Sequence, residues 1–270
     1  MTNIISVKMR FFRKINKFIY RLENFSINDK LILKTKRGVE FGTVVAIEKV
    51  KNFEVPEQLE GLIIRRAERI DFDKIKQIEK EESNKFNFLN EKIKQYDLPM
   101  KLVLVEYMFD MKKIIVYFSA ENRIDFRNLL KDLVENLKTW VELRQISPRE
   151  VTKIMGGIGV CGKELCCFSF LREFKNVHMQ SAVFQGISFG GSKLCGVCGR
   201  LMCCLKYEED MYLDILEKVP KVNEIIKTPK GLALVAGVDI MKEAVKVVLL
   251  DDPTGPNLCF KLSDLIRLTS

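Results

Sequence analysis

Seven of the eight cysteines in this 270-residue chain lie between Met155 and Tyr207, in and around two copies of one motif. The first copy, residues 160–168, reads VCGKELCCF, and the second, residues 197–205, reads VCGRLMCCL, with five of nine positions identical. Thiolates are the ligands of iron–sulfur clusters and of zinc, and each centre normally takes about four protein ligands. The two triads therefore predict a metal centre. The candidate ligands are Cys161, Cys166, Cys167, Cys198, Cys203 and Cys204, together with Cys195 just before the second copy.

The vicinal cysteine pairs favour an iron–sulfur cluster over zinc. Two adjacent cysteines have difficulty chelating one tetrahedral zinc with both sulfurs, but they can bind neighbouring irons or different partners. Gly162 and Gly199 would let backbone N–H groups approach a cluster sulfide. Residues 195–198 (CGVC) also form a zinc-knuckle motif, which with Cys161 and Cys166 could hold a structural zinc. Redox-active or uncomplexed thiols are a third alternative, and a reducing cytosol disfavours disulfides.

The number of thiols leaves the arrangement of centres open. Six repeated cysteines plus Cys195 give seven, which is one fewer than two complete four-cysteine centres require. Either one centre draws ligands from both copies, or a second centre completes its shell from another chain.

Outside the cysteine segment, few residues suggest catalysis. The single histidine, His178, lies in a polar stretch where we expect an exposed loop, and Cys259 lies between two apolar residues where we expect a buried strand. No Gly-rich phosphate loop, paired carboxylates or Ser/His/Asp arrangement stands out. We therefore predict that the chain is not an enzyme.

Composition predicts a folded cytoplasmic protein of two or three small domains. The chain is 47% hydrophobic and 30% charged, with a net charge of +9. Its apolar runs are too short for a transmembrane segment, and the first residues lack a secretory signal pattern. Basic residues concentrate near the N-terminus, where they could contact RNA or an anionic surface, or simply be solvated. These residues are Lys8, Arg10, Arg13, Lys14, Lys17 and Arg21.

Apolar periodicity predicts an α+β protein in four parts. Residues 1–60 form a small N-terminal β module, and residues 61–150 have the strand and helix order of a ferredoxin-like βαββαβ unit, with Trp140 in its core. Residues 151–207 are the cysteine-rich segment, and residues 208–270 are a short helix followed by a small SH3-like β-barrel. Residues 31–38 (LILKTKRG) and 224–231 (EIIKTPKG) predict similar hairpins in the two β modules.

The cysteine motifs also carry a family resemblance. Residues 155–162 (MGGIGVCG) leading to Cys166-Cys167, and residues 198–208 (CGRLMCCLKYE), resemble the RicT (YaaT) family of bacterial cell-fate and sporulation regulators. Supporting matches are residues 37–42 (RGVEFG), 100–103 (MKLV) and 141–146 (VELRQI). The likeness extends over nearly the whole chain, although the family pattern has a small non-thiol residue at the position of Cys195.

The resemblance implies a subunit of a regulatory iron–sulfur complex. Such a complex contains two small helical partner proteins, acts with the membrane-anchored endoribonuclease that starts messenger RNA decay, and shares 4Fe–4S clusters among its subunits. Carried over by motif, the first-choice ligands are Cys161, Cys166, Cys167 and Cys198, followed by Cys203 and Cys204. Any recruitment to the membrane would then occur through a partner.

Three hypotheses follow from the sequence. The first is a non-catalytic adaptor that carries a cluster and presents surfaces to proteins and RNA. The second is a zinc-stabilised RNA-binding protein that acts alone. The third is a thiol-dependent oxidoreductase or hydrolase, which requires that one cysteine be essential for turnover.

Overall fold

The computed structural model describes residues 2–12, 14–20, 25–50, 61–187 and 194–267. The chain divides into two compact units, residues 1–172 and 173–270, and each is described separately. Both units combine strands and helices, so the predicted α+β class is confirmed. Among the described helices, none has the length and apolar character that crossing a bilayer requires.

The first unit begins with a five-stranded antiparallel sheet of order β2-β1-β4-β3-β5. Alternate side chains along each strand face the core of this sheet, because successive residues of a strand point to opposite faces. Ile5, Val7, Leu31, Leu33 and Ile63 are buried there together. The strands are β1 (Thr2–Met9), β2 (Ile15–Tyr20), β3 (Lys30–Thr35), β4 (Val39–Val50) and β5 (Gly61–Arg66).

A three-stranded sheet of order β6-β7-β8 follows in the same unit. Strands β6 (Lys101–Tyr107) and β7 (Lys113–Ser119) are antiparallel, whereas β7 and β8 (Trp140–Gln145) are parallel and are joined through α2 (Arg127–Leu137). The long charged helix α1 (Arg69–Gln95) packs against β6, as its apolar stripe predicts. Ile75, Ile78, Leu89 and Ile93 are buried in this core.

The predicted ferredoxin-like unit is not confirmed, because its first strand belongs to the other sheet. Strand β5 pairs with β3, and Ile63 lies opposite Leu33 in the core of the N-terminal sheet. The boundary predicted between residues 60 and 61 therefore falls at the start of β5, which is itself a strand of the N-terminal sheet. Trp140 is also not in the core, since it is 71% exposed on the edge strand β8 while Val141 faces inward.

The second unit contains helices α5 (Met179–Phe184) and α6 (Cys203–Leu216) and a C-terminal antiparallel sheet of order β12-β11-β10-β9-β13. A 3₁₀ turn at Leu262–Asp264 precedes the last strand. This order does not by itself confirm the SH3-like barrel. The strands are β9 (Ile225–Thr228), β10 (Gly231–Asp239), β11 (Ala244–Leu249), β12 (Leu258–Lys261) and β13 (Ile266–Arg267).

The N-terminal and C-terminal five-stranded sheets share one type of hairpin turn, between β3 and β4 and between β9 and β10, as the similar sequences predict. In the first, the Thr35 hydroxyl accepts from the N–H of Arg37 at 3.1 Å and lies 3.4 Å from the carbonyl of Gly38, while it donates to the Glu40 carboxylate at 2.5 Å. In the second, the Thr228 hydroxyl donates to the carbonyl of Gly231 at 2.9 Å and accepts from the N–H of Lys230 at 3.2 Å.

Candidate metal centre

The first cysteine motif folds as a short hairpin, residues 157–168, which we call the first thiol hairpin. Ile158 and Glu164 form a bridge across it, and the N–H of Gly159 donates to the carbonyl of Lys163 at 2.8 Å. The N–H of Gly162 donates to the carbonyl of Gly159 at 3.0 Å, which closes the turn that carries Cys161. This turn needs a glycine at residue 162, because φ there is +76°.

The second motif, residues 194–205, forms the same structure and is called the second thiol hairpin. Cys195 and Leu201 form its bridge, and the N–H of Gly196 donates to the carbonyl of Arg200 at 2.9 Å. The N–H of Gly199, with φ of +72°, donates to the carbonyl of Gly196 at 2.9 Å. Each of these contacts lies 37 residues after its counterpart, so the sequence repeat is also a structural repeat.

A helix begins at each vicinal cysteine pair. Helix α4 (Cys166–Ser169) follows the first hairpin, and α6 begins at Cys203 in the second. The preceding residues have matching conformations, with φ and ψ of −55° and 128° at Leu165 and of −59° and 129° at Met202. The first N–H groups of a helix have no partner within it, and this end favours negative ligands. The sequence pattern predicts a helix only from Glu208, so its start at the cysteines is a correction.

The hairpins present their thiols differently to solvent. Cys161 is exposed, Cys167 is buried, and the remaining five hairpin cysteines are partly buried. Ile158, which is 63% exposed, occupies the place of Cys195, so the first hairpin offers three thiols and the second offers four. All eight cysteines lie within the described residues, and none of them is in a disulfide there.

A buried lysine lies next to the first vicinal pair, and sequence reasoning missed it. Helix α3 (Pro148–Met155) begins with a reciprocal cap between Ser147 and Glu150, a signal that was present in the sequence. Lys153 on this helix is 6% exposed, and its Nζ donates to the carbonyl of Arg172 at 2.9 Å. Burial lowers the pKa of Lys153, and the electrostatic attraction of Cys167 opposes that change. The lysine therefore provides positive charge near a candidate ligand.

The donor chemistry of the hairpins fits a thiolate-bound metal, but the described residues do not close a ligand shell. Within those residues, no three His, Cys, Asp or Glu side chains are gathered as one metal ion requires. At Gly162 and Gly199, the space where a side chain would start is empty of other atoms within 4 Å. The first hairpin thus offers three sulfurs and the second four, with open space beside each turn, and further ligands or a rearrangement must complete a centre.

Cys259 and His178 lie outside this arrangement. Cys259 is exposed rather than buried, because Phe260 takes the inward position on β12 and Cys259 lies opposite Lys246 on the other face. His178 is exposed at the start of α5, as expected.

One residue of the basic N-terminal segment, Arg10, forms an ion pair within the first unit. Arg10 donates to both carboxylate oxygens of Glu82, at 2.8 and 2.5 Å, and its guanidinium lies 5.4 Å from the centre of the Phe41 ring. Lys8 and Lys17 are exposed, whereas Arg13 and Arg21 lie outside the described residues. Contact of this segment with RNA stays a prediction.

The turn glycines provide a direct test of the hairpin geometry. We expect Gly199→Ala to lower the free energy of unfolding of the second unit by about 1–2 kcal/mol, since a side chain at positive φ is strained even where space is open. Gly237→Ala is the matched control, because Gly237 also has open space but no positive φ, and should change stability by less than about 0.5 kcal/mol. Equal effects in urea denaturation would contradict the assigned turn.

Comparison with known proteins gives two family matches and several relatives. The PSP1 C-terminal conserved region matches residues 61–146, from β5 to the end of β8, and the third domain of PSP1-like proteins matches residues 176–219, which include the second thiol hairpin. The chain is 40% identical over 258 residues to the stage 0 sporulation protein YaaT of Bacillus subtilis, covering 93% of this chain and 91% of that protein.

Two yeast proteins are similar over shorter regions. An uncharacterised protein of Schizosaccharomyces pombe is 27% identical over 152 residues, which are 46% of this chain and 20% of that protein. Protein PSP1 of Saccharomyces cerevisiae is 27% identical over 135 residues, which are 48% of this chain and 16% of that protein. No solved structure matches the chain. Identity of 40% along almost the whole of this chain and of the B. subtilis protein, together with the two PSP1-type regions, shows that the chain belongs to the YaaT (RicT) family.

Proposed function

We propose that this chain is a non-catalytic regulatory adaptor that binds iron–sulfur clusters of the 4Fe–4S type through its two thiol hairpins. It assembles with two small helical proteins, modulates a membrane-anchored endoribonuclease, and so affects messenger RNA decay and cell-fate programmes such as sporulation. The observation that carries the proposal is the repeated hairpin, in which two cysteine triads lie in the same backbone geometry. The name of the B. subtilis relative, a stage 0 sporulation protein, supports the regulatory role.

The hairpins would divide the ligands unequally. Cys161, Cys166 and Cys167 provide three thiolates, and the second hairpin provides Cys198, Cys203, Cys204 and Cys195. When bound, a cluster would supply a covalent brace between the turn of a hairpin and the start of the helix that follows it. Lys153 would offset part of the negative charge of the thiolates. The three-thiol hairpin requires at least one further ligand, and a partner chain is one source.

Exposed apolar residues around the first thiol hairpin support a partner surface. Met155, Ile158, Val160 and Phe170 are 73%, 63%, 75% and 51% exposed, respectively. Exposed apolar groups that lie close together mark interaction sites more often than isolated ones do. The thiols and the apolar residues would therefore be covered in the same step of assembly.

A zinc-stabilised RNA-binding protein is the second candidate. The pairing of Cys195 with Leu201 places the CGVC residues at the base and turn of one hairpin, as in a zinc knuckle. Exposed Lys8 and Lys17 on the N-terminal sheet would then contact phosphates. This candidate predicts RNA binding by the isolated chain and no need for protein partners.

The adaptor function is tested by changing the partner surface without changing a thiol. We expect Val160→Glu to reduce co-isolation of the endoribonuclease with the tagged chain by about tenfold, because a charge would be buried at the contact. Ile70→Glu is the matched control, since Ile70 is 76% exposed on the same unit but lies at the start of α1. Equal capture by both variants, or RNA binding by the chain without capture of the enzyme, would favour the second candidate.

A further inference from the structure

An open cleft of about 660 Å³ lies in the first unit, and none of the residues that line it belongs to a thiol hairpin. It is formed by the segment between β7 and α2 together with the last residues of β8. Because β7 and β8 are parallel, their carboxyl ends meet at this edge of the sheet. The carboxyl ends of parallel strands are where open α/β sheets bind their ligands, and the volume is typical of small-molecule sites.

The cleft combines an apolar floor with polar groups at its rim. Ile124, Phe126 and Leu143 provide the apolar surface. The Gln145 side chain donates to the carbonyls of Ala120 and Asn122, at 3.1 and 3.4 Å. The carboxamide oxygen of Gln145 is therefore the atom that can accept a hydrogen bond from a ligand. A planar ring with an exocyclic amine matches both the floor and this acceptor.

Two arginines give the rim an excess of positive charge. Arg123 is exposed and has no ion-pair or hydrogen-bond partner within the described structure. Arg127 donates to Asp125 through Nε and Nη2, at 2.9 and 2.5 Å, and this pairing lowers the pKa of Asp125 to about 2. The carboxylate is therefore ionised at neutral pH and neutralises Arg127. Arg123 is the guanidinium left to bind an anion, for which its planar fork suits phosphate.

We propose that this cleft binds a free nucleoside monophosphate, with the base on Phe126 and Leu143 and the phosphate on Arg123. The start of α2 does not add to this anion site, because the N–H of Arg127, its first residue, already donates to the Asp125 carboxylate at 3.1 Å. The chain would then respond to a nucleotide at a site independent of its cysteines.

Calorimetric titration of the full chain tests the proposal directly. The probes are AMP and GMP, the matching nucleosides, inorganic phosphate and a short RNA oligomer. At least one nucleotide should bind about tenfold or more tightly than its nucleoside and than phosphate, because the site recognises both parts. Absence of nucleotide binding, or phosphate binding as tightly as the nucleotides, would overturn it. A nucleotide that binds only as part of an RNA oligomer would also overturn it.

Two substitutions in the cleft should change the affinity for the nucleotide in opposite directions. Arg123→Gln should weaken nucleotide binding about tenfold, whereas Asp125→Asn should strengthen it about threefold or more by releasing Arg127. The matched control is Arg69→Gln, an exposed arginine of α1 outside the cleft, which should leave binding unchanged. An equal effect of the two arginine substitutions, or weaker binding by Asp125→Asn with unchanged melting temperature, would place the nucleotide elsewhere. Cys198→Ser should not alter this binding, which separates the result from that of the metal centre.

Discussion

Cys198→Ser protein purified without oxygen should contain far less iron and acid-labile sulfide than the proposed centre gives the unsubstituted chain. Cys198 lies in the turn of the second thiol hairpin, and a serine there keeps the size of the side chain but not the soft thiolate ligand. Changes outside the ligand shell already weaken metal binding about 10–100-fold, so removal of a ligand should cost more. Iron, sulfide and the visible absorption spectrum are measured on the same sample.

The chain contains its own control for this experiment. Cys259 is also in the second unit, but it is exposed on β12 opposite Lys246 and takes no part in either hairpin. Cys259→Ser should therefore contain as much iron and sulfide per chain as is measured in the unsubstituted protein. Loss of iron from Cys259→Ser, or unchanged iron in Cys198→Ser, would exclude the hairpin turn as a ligand site.

Arg37→Met should lower the free energy of unfolding of the first unit by about 3 kcal/mol at about pH 7, the low end of the cost of unpairing a buried charge. Arg37 lies in the turn between β3 and β4, and its guanidinium donates to Glu106 on β6 and, at 3.0 Å, to the hydroxyl of Tyr117 on β7. Its Nη1 lies 3.4 Å from the carboxylate of Glu40. Because the Arg37 side chain is 32% exposed and Glu106 is buried, the main cost is the carboxylate left behind.

The pH dependence of this loss follows from Glu106. Burial raises the pKa of Glu106, while Arg37 and the Tyr117 hydroxyl lower it, so removal of Arg37 raises the pKa further. Below that raised value Glu106 is protonated in the folded variant and no unpaired charge is buried. The destabilisation should therefore be greater at about pH 7 than at about pH 5.

A double substitution separates the buried charge from lost packing. Arg37→Met combined with Glu106→Gln should recover about half of the lost stability, since the buried charge of Glu106 is removed while the buried carboxylate of Glu40 keeps, among the described residues, only the Thr35 hydroxyl as a donor. The carboxamide oxygen introduced by Glu106→Gln can still accept from the hydroxyl of Tyr117. Urea denaturation at both pH values measures the effect. A loss that is the same at both pH values and that the second substitution does not reduce would contradict the ion-pair explanation.

Local patterns in the sequence predicted the elements well but not their pairing. The stripe of Ile75, Ile78, Leu89 and Ile93 predicted α1 and its buried side, because helical periodicity persists over 27 residues. Residues 62–64 predicted a strand, but a short apolar run does not specify which sheet it joins. The pairing of β5 with β3 depends on contacts distant in sequence, including that of Ile63 with Leu33. Trp140 was misplaced because its size suggested burial, whereas strand alternation turns Val141 inward.

The candidate site also has features that the sequence predicted and features that depend on tertiary packing. The 37-residue offset predicted two equivalent cysteine elements, and the shared bonds at Gly162 and Gly199 confirm that they fold alike. The burial of Lys153 depends on how α3 packs, which a single lysine in a short helix does not indicate. The cleft beside Phe126 could not be predicted, since it arises where two parallel strands end together.

Metal and sulfide analysis of the unsubstituted protein, purified without oxygen, tests the central claim most directly. Iron, zinc and acid-labile sulfide are determined per chain on the same preparation. The account predicts iron and sulfide in about equal amounts, as a 4Fe–4S cluster requires, with visible absorption and no stoichiometric zinc. A colourless protein that contains zinc and lacks both iron and sulfide would contradict it.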